Sequence, residues 1–129
     1  LLNMRSYRGN NRRLVSQSQD GGLTWSAPAE DQALIEPVCQ ASLLRLPGQP
    51  GRLLFANPAI TKREKMSVRF STDDGKTWSA GKQLHPGPAA YSCLAVLSGS
   101  AIGCLYERGD QQAYENITFA RFGFGWLEK

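Results

Sequence analysis

One histidine, three cysteines and two methionines occur in 129 residues, and these scarcities exclude several kinds of chemistry. No apolar run approaches the roughly 20 residues that a spanning helix needs, so no membrane span is expected. The lone His85 lies in His85-Pro86-Gly87-Pro88, a loop-like stretch without metal-binding companions, so neither a metal site nor histidine-based catalysis is expected. Cys39, Cys93 and Cys104 are odd in number and lack CxxC spacing, which argues against a disulfide framework or a zinc site. Buried free thiols are expected instead. Cys93 and Cys104 flank a turn at Ser98-Gly99, a placement that would let them face one another across two strands. Sustained helical periodicity is absent as well. The opening Leu1-Leu2-Asn3-Met4-Arg5 is too short and too polar for a signal peptide and reads as the middle of a strand. With no initiating Met, the chain is expected to be a fragment or a trimmed piece.

What is present is ordinary for a globular protein of about one domain: 41% apolar and 20% charged residues, with no low-complexity run. The net charge is +4, and Arg5, Arg8, Arg12 and Arg13 lie close together in sequence. No basic helix or nucleic-acid motif accompanies them, so nucleic acid is not an expected partner. They read either as a solvated face or as arginines grouped to hold an anion.

Short β-branched, aromatic or alternating runs are separated by Gly, Pro, Asn and Asp clusters. They predict strands near Leu2–Tyr7, Arg13–Ser18, Val38–Leu46, Arg52–Ala56, Met66–Ser71, Cys93–Leu97, Ala101–Glu107 and Ile117–Phe122. The string SQDGGLTW, Ser18 to Trp25, returns as STDDGKTW, Ser71 to Trp78, and both continue with Ser-Ala. The shared residues are Ser18, Asp20, Gly22, Thr24 and Trp25 in one copy, and Ser71, Asp73, Gly75, Thr77 and Trp78 in the other. In S-x-D-x-G-x-T-W the Asp can satisfy turn amides, Gly can take positive φ, and Trp can pack beneath the turn. These aspartates are therefore expected to build turns and not to perform acid/base or calcium chemistry. A period near 50 with about four short strands points to propeller blades, roughly two and a half of them here. The fold class expected is all-β: a partial propeller over residues 1–129 with no separate second domain, its open ends exposing faces meant for neighbouring blades.

The two strings resemble the Asp-boxes of the sialidase (neuraminidase) superfamily, and other segments extend the likeness in order along the chain. Leu2-Asn3-Met4-Arg5-Ser6 resembles the family segment that carries the second arginine of a carboxylate-binding triad. Thr61-Lys62-Arg63-Glu64-Lys65-Met66 resembles the segment that carries the third. Ala90-Tyr91-Ser92-Cys93-Leu94 looks like the nucleophile segment, Cys104-Leu105-Tyr106-Glu107 like the strand after it, and Tyr114-Glu115-Asn116-Ile117-Thr118-Phe119 like the closing strand.

The resemblance implies a six-bladed propeller and a retaining exo-α-sialidase that releases terminal sialic acid from glycans. Arg5 and Arg63 would clamp the substrate carboxylate, Tyr91 would be the nucleophile, Glu107 would support the first arginine, and Gln40 would border the sugar. Each type has a chemical reason. A guanidinium binds carboxylate through paired, charge-assisted hydrogen bonds. A neutral phenol avoids the repulsion that a carboxylate nucleophile would meet beside the substrate's own carboxylate. Arg69 is a decoy, lying inside the pre-box strand at the position of Ser16 in the first repeat.

No metal or organic cofactor is implied. The resemblance places a first arginine, an acid/base aspartate and a tyrosine-activating glutamate upstream of the Arg5 segment, and no residue here matches them. Glu30, Glu36 and Glu64 occupy the wrong segments to replace them. The partners implied are sialylated glycans and the missing N-terminal blades, with the isolated chain inactive. A secreted or periplasmic parent protein fits the resemblance, although the compartment is open. The competing expectation is a non-catalytic propeller segment that binds an acidic glycan or acts as scaffold.

Overall fold

The computed structural model describes residues 1–129. Its strands are β1 (Leu2–Met4), β2 (Arg12–Ser16), β3 (Ala29–Ile35), β4 (Ser42–Arg45), β5 (Leu53–Pro58), β6 (Glu64–Ser71), β7 (Lys82–Val96), β8 (Ile102–Arg108) and β9 (Asn116–Phe122). A one-turn helix α1, Phe124–Leu127, ends the chain. The order β1-β2-β3 forms one sheet and β4 through β9 a second, with all neighbours antiparallel. The long β7 belongs to two blades. Its first half pairs with β6, and its second half, from Ala89, pairs with β8. Three blade-like sheets result, of three, four and three strands. This is the all-β partial propeller expected from the repeat.

Several boundaries differ from the sequence expectation. β3 was not anticipated: Ala29-Glu30-Asp31-Gln32 is polar and exposed apart from half-buried Glu30 and Asp31, so it carries little strand signal. It is an outer strand held by pairing with β2. Val38–Leu46 supplies strand only from Ser42, and the turn before it contains Val38 at φ 54. The His85-Pro86-Gly87-Pro88 stretch is not a loop but the outer part of β7. Proline is tolerated there because an edge strand needs few of its own N–H groups for the ladder. Cys93 and Cys104 do not face each other. Leu94 pairs with Cys104 and Cys93 with Leu105, a one-residue offset that sends the thiols to opposite faces. All three cysteines are free, and Cys93 is exposed rather than buried.

The main core lies between the second and third blades. Leu54 and Ala56 of β5, Met66 and Val68 of β6, Leu94 of β7 and Ile102, Cys104 and Tyr106 of β8 are all nearly inaccessible. Helix α1 closes its lower edge. Leu127 is buried there, Phe124 meets Phe70 edge-on at 5.2 Å, and Trp126 lies 5.1 Å from Phe122.

The antiparallel course divides the loops between two ends. The Asp-box turns and the Pro47–Gly51 hairpin share one end, where Asp74 N–H donates to Gly51 O at 2.9 Å. In both boxes the Asp accepts from backbone and hydroxyl of the following Thr: Asp20 from Thr24 and Asp73 from Thr77, with Oγ1 contacts of 2.6 Å in each. Ser18 and Ser71 close the turns from the Gly22 and Gly75 N–H groups, both at 2.8 Å. Gly75 holds φ +84, and a Cβ there would sit 2.9 Å from the Leu1 side chain. The tryptophans diverge. Trp78 packs on Phe55 and donates to Asp31 of the preceding blade at 3.0 Å, whereas Trp25 caps its own turn through Gly22 O and stays exposed. These turns fix strand order. The other end of the blades receives the segments after β1, β3, β5 and β8.

Candidate active site

That other end gathers the chemically notable side chains. Arg5 follows β1, Cys39 and Gln40 lie in the β3–β4 connection, Arg63 immediately precedes β6, Tyr91 sits in the bend of β7, Glu107 is the last residue but one of β8, and Tyr114 lies in the β8–β9 loop. The antiparallel course of the strands brings these distant residues together without any sequence proximity.

Tyr91 owes its position to a bulge. Ser92 pairs with Tyr106 and Ala89 with Arg108, so Ala90 and Tyr91 together oppose the single residue Glu107. Bulges of this kind re-aim a side chain and leave an unpaired backbone group. Here the unpaired Tyr91 N–H is met by Glu107 Oε2 at 3.0 Å. Ala90 is fully buried, and the Tyr91 ring is turned outward with 41% of its surface accessible. Gln40 braces the next residue from the neighbouring blade. Its Oε1 accepts Ser92 N–H at 2.9 Å and its Nε2 donates to Ser92 O at 2.9 Å, as a backbone strand would. A shallow cavity of about 340 Å³ opens beside them, walled by Gln40, Tyr91, Cys93, Leu105, Glu107 and Ile117.

Arg63 stands between two tyrosines. Its Cζ is 5.9 Å from the Tyr91 ring centroid and 5.9 Å from that of Tyr114, whose hydroxyl it also contacts. Burial alone would pull the Arg63 pKa down. Cys39, Tyr114 and Tyr91, as potential anions, more than offset this and leave it above its ordinary value. Arg5 stacks on Tyr7 at 4.7 Å, and its Nε is buried without a protein acceptor. Burial raises the Cys39 thiol pKa against the opposing pull of Arg63 and Arg5, so both guanidiniums act on the same buried point. The surroundings are cationic and half-desolvated, a setting that suits a carboxylate.

Arg13 is not part of a solvated basic face. It is 3% exposed, paired to the fully buried Glu36 at 2.8 Å, and lies 5.7 Å from the Phe55 ring centroid. Arg69 is buried in β6 against Asn57, away from the gathered end. Asp20 and Asp73 are at the opposite end of the blades, removed from Tyr91.

The sequence and the fold have counterparts in known proteins. Residues 1–104 match the BNR repeat-like domain family. The chain belongs to the sialidase family. A sialidase of Micromonospora viridifaciens is 36% identical over 98% of the chain, and one of Bacteroides fragilis is 38% identical over 83%. Among solved structures, a leech intramolecular trans-sialidase complexed with 2,7-anhydro-Neu5Ac superposes on 91% of the chain with a TM-score of 0.71 at 22% identity, a likeness of fold. The chain spans about a fifth of each of these proteins: 20%, 21% and 21% of their lengths.

Within this family member, sequence reasoning passed over two features of the gathered end. The sequence expectation puts Tyr114 at the start of a closing strand, yet it lies in a loop whose amides are collected by Glu115. Glu115 accepts from Asp110, Gln111 and Gln112, and these bonds hold its pKa low. The Arg13–Glu36 pair was invisible because neither residue lies in a repeated string. An arginine entering a short strand just before Leu14 and Val15, as Arg13 does in Arg12–Ser16, was the only signal available.

Proposed function

We propose that the chain is part of a retaining exo-α-sialidase acting on terminal sialic acids of glycoconjugates, and that residues 1–129 form one partial propeller domain of it. The observation that carries this reading is the placement of the Arg63 guanidinium beside the Tyr91 ring, an anion-binding group next to a potential oxygen nucleophile. In the reaction, Arg5 and Arg63 bind the substrate carboxylate and hold the anomeric carbon near Tyr91. The phenolic oxygen forms a bond to that carbon as the glycosidic bond breaks. The departing oxygen takes a proton from an acid, and the Tyr91 proton passes to a base. Water then replaces the tyrosyl oxygen and the sugar is released with net retention.

Neither acid nor base is supplied by this chain. Glu107 is engaged with the Tyr91 backbone and belongs to support. Gln40, tied to Ser92, borders the sugar cavity as a wall. The isolated 129 residues are therefore inactive, and activity belongs to the full-length protein.

Kinetics of that protein on an α-sialoside test the reading. Tyr91→Phe should lower kcat on the order of 10³-fold or more, as removal of a nucleophile does. Near-wild-type turnover by Tyr91→Phe would remove Tyr91 as the nucleophile, and a wild-type full-length protein without turnover would leave a glycan-binding propeller as the better account.

A further inference from the structure

The buried Arg13–Glu36 pair lies directly between the two segments that carry the arginines. Glu36 Oε1 accepts the N–H of Ser6, the residue after Arg5, at 2.7 Å. Its Oε2 accepts from Arg13 Nη1 at 2.8 Å and from Cys39 N–H at 3.3 Å. Arg13 extends the network. Nη1 also donates to Cys39 O at 2.7 Å, and Nε donates to Asn3 Oδ1 at 2.6 Å, two residues before Arg5. The Val38 carbonyl, one residue from Cys39, accepts from Arg63 Nη2 at 3.4 Å. Every polar atom of the Glu36 carboxylate is thus spent on backbone or guanidinium groups of these segments.

We infer that Arg13 and Glu36 are positioning residues for the carboxylate clamp, fixing the Arg5 backbone from both sides and the turn on which Arg63 rests. The inference rests on the proposed sialidase reading and extends it to residues that touch no substrate. A buried ion pair is a poor source of net stability compared with apolar packing, because both charges are desolvated. Its value lies in direction: a guanidinium fork and a two-oxygen acceptor fix several backbone groups in one geometry. The negative charge of Glu36 also offsets, at Arg13, the repulsion between the Arg13 and Arg5 guanidiniums. Arg5 is close enough to Arg13 to oppose its charge.

The test compares binding of a hydrolysis-resistant, sulfur-linked α-sialoside and its methyl ester to the full-length protein by calorimetry. The ester keeps the sugar and removes only the carboxylate charge. Wild type should prefer the acid. Glu36→Gln places an amide NH₂ against one of the donors now held, and should weaken acid binding about tenfold or more while leaving ester binding within about twofold. If that variant does not fold, Asn3→Ala strips only the Nε acceptor of Arg13 and should weaken acid binding about fivefold, again sparing the ester. Equal losses for acid and ester in a folded variant, or no loss for either, would overturn the positioning role while leaving the sialidase reading intact. A wild-type protein that does not distinguish acid from ester would overturn the sialidase reading itself.

Discussion

Glu107 Oε2 accepts the backbone N–H of Tyr91 at 3.0 Å, across a bulge in which two residues of β7 oppose one of β8. The bond ties the orientation of a tyrosine ring to a carboxylate that does not touch its hydroxyl. Glu107→Ala should give that exposed amide to water, destabilising the end of β8 by about 0.5–1.5 kcal/mol and lowering turnover of the full-length protein. Glu107→Gln keeps an oxygen acceptor and should retain most of the stability. Urea unfolding of the two variants checks the difference, and equal losses would count against the bond.

Arg63→Lys keeps a positive charge but gives up the planar fork and its stacking between Tyr91 and Tyr114. The expected result is a loss of about 1.5–3 kcal/mol in binding of a carboxylate ligand, read as a higher KM or Kd. A change confined to kcat would place Arg63 in a different role.

Gln40 serves the fold as well as the cavity wall. Gln40→Ala removes both of its hydrogen bonds to Ser92 and should cost about 1–3 kcal/mol of stability. Gln40→Glu should be similar, since a carboxylate cannot donate to the Ser92 carbonyl. Thermal unfolding distinguishes this from a residue that matters only for sugar binding, whose loss would leave the melting temperature unchanged.

The Asp-box turns set an acid limit on stability. Hydrogen bonds from Thr77 and Ser71 hold the Asp73 pKa down to about 2, and Asp20 is lowered in the same way. A carboxylate with a depressed folded-state pKa stabilises fully above its unfolded pKa near 4 and loses that contribution as pH falls toward 2. The stability gap between wild type and Asp73→Asn should therefore narrow between pH 4 and pH 2. A gap that stays constant over this interval would show that the charge is not what the turn uses.

The thiols should separate by face. Cys93 is exposed in the cavity beside Tyr91, whereas Cys39 and Cys104 are buried and burial pushes Cys104 up to about 12. In the native 129-residue chain a thiol reagent should modify Cys93 rapidly and the other two only after unfolding. Fast modification of Cys104 would contradict the β7–β8 register.

How much of this was legible depends on whether a residue repeats or pairs locally. The Asp-box strings exposed the blade period because each turn is satisfied within eight residues, from Ser71 to Trp78. The hairpin after Val96 was equally visible in Ser98-Gly99. β3 was not, because its stability comes from β2 and not from its own polar sequence. The extension of β7 through Pro86 and Pro88 was hidden for a related reason: outer-strand geometry tolerates residues that signal loops elsewhere. At the site, family strings drew attention to Arg5, Arg63, Tyr91 and Glu107, while Tyr114 meets Arg63 across 51 positions, Gln40 meets Ser92 across 52, and Glu36 meets Ser6 and Arg13 across 30 and 23. Such contacts follow from blade packing, which no local pattern encodes.

The most direct measurement is to incubate the full-length protein with a fluorinated sialoside that slows release of a covalent intermediate, and to locate the added mass by peptide mapping. The account predicts one sialosyl adduct, on the peptide containing Tyr91, abolished by Tyr91→Phe. An adduct on a carboxylate, or unaltered peptides from a protein that turns over sialosides, would contradict it.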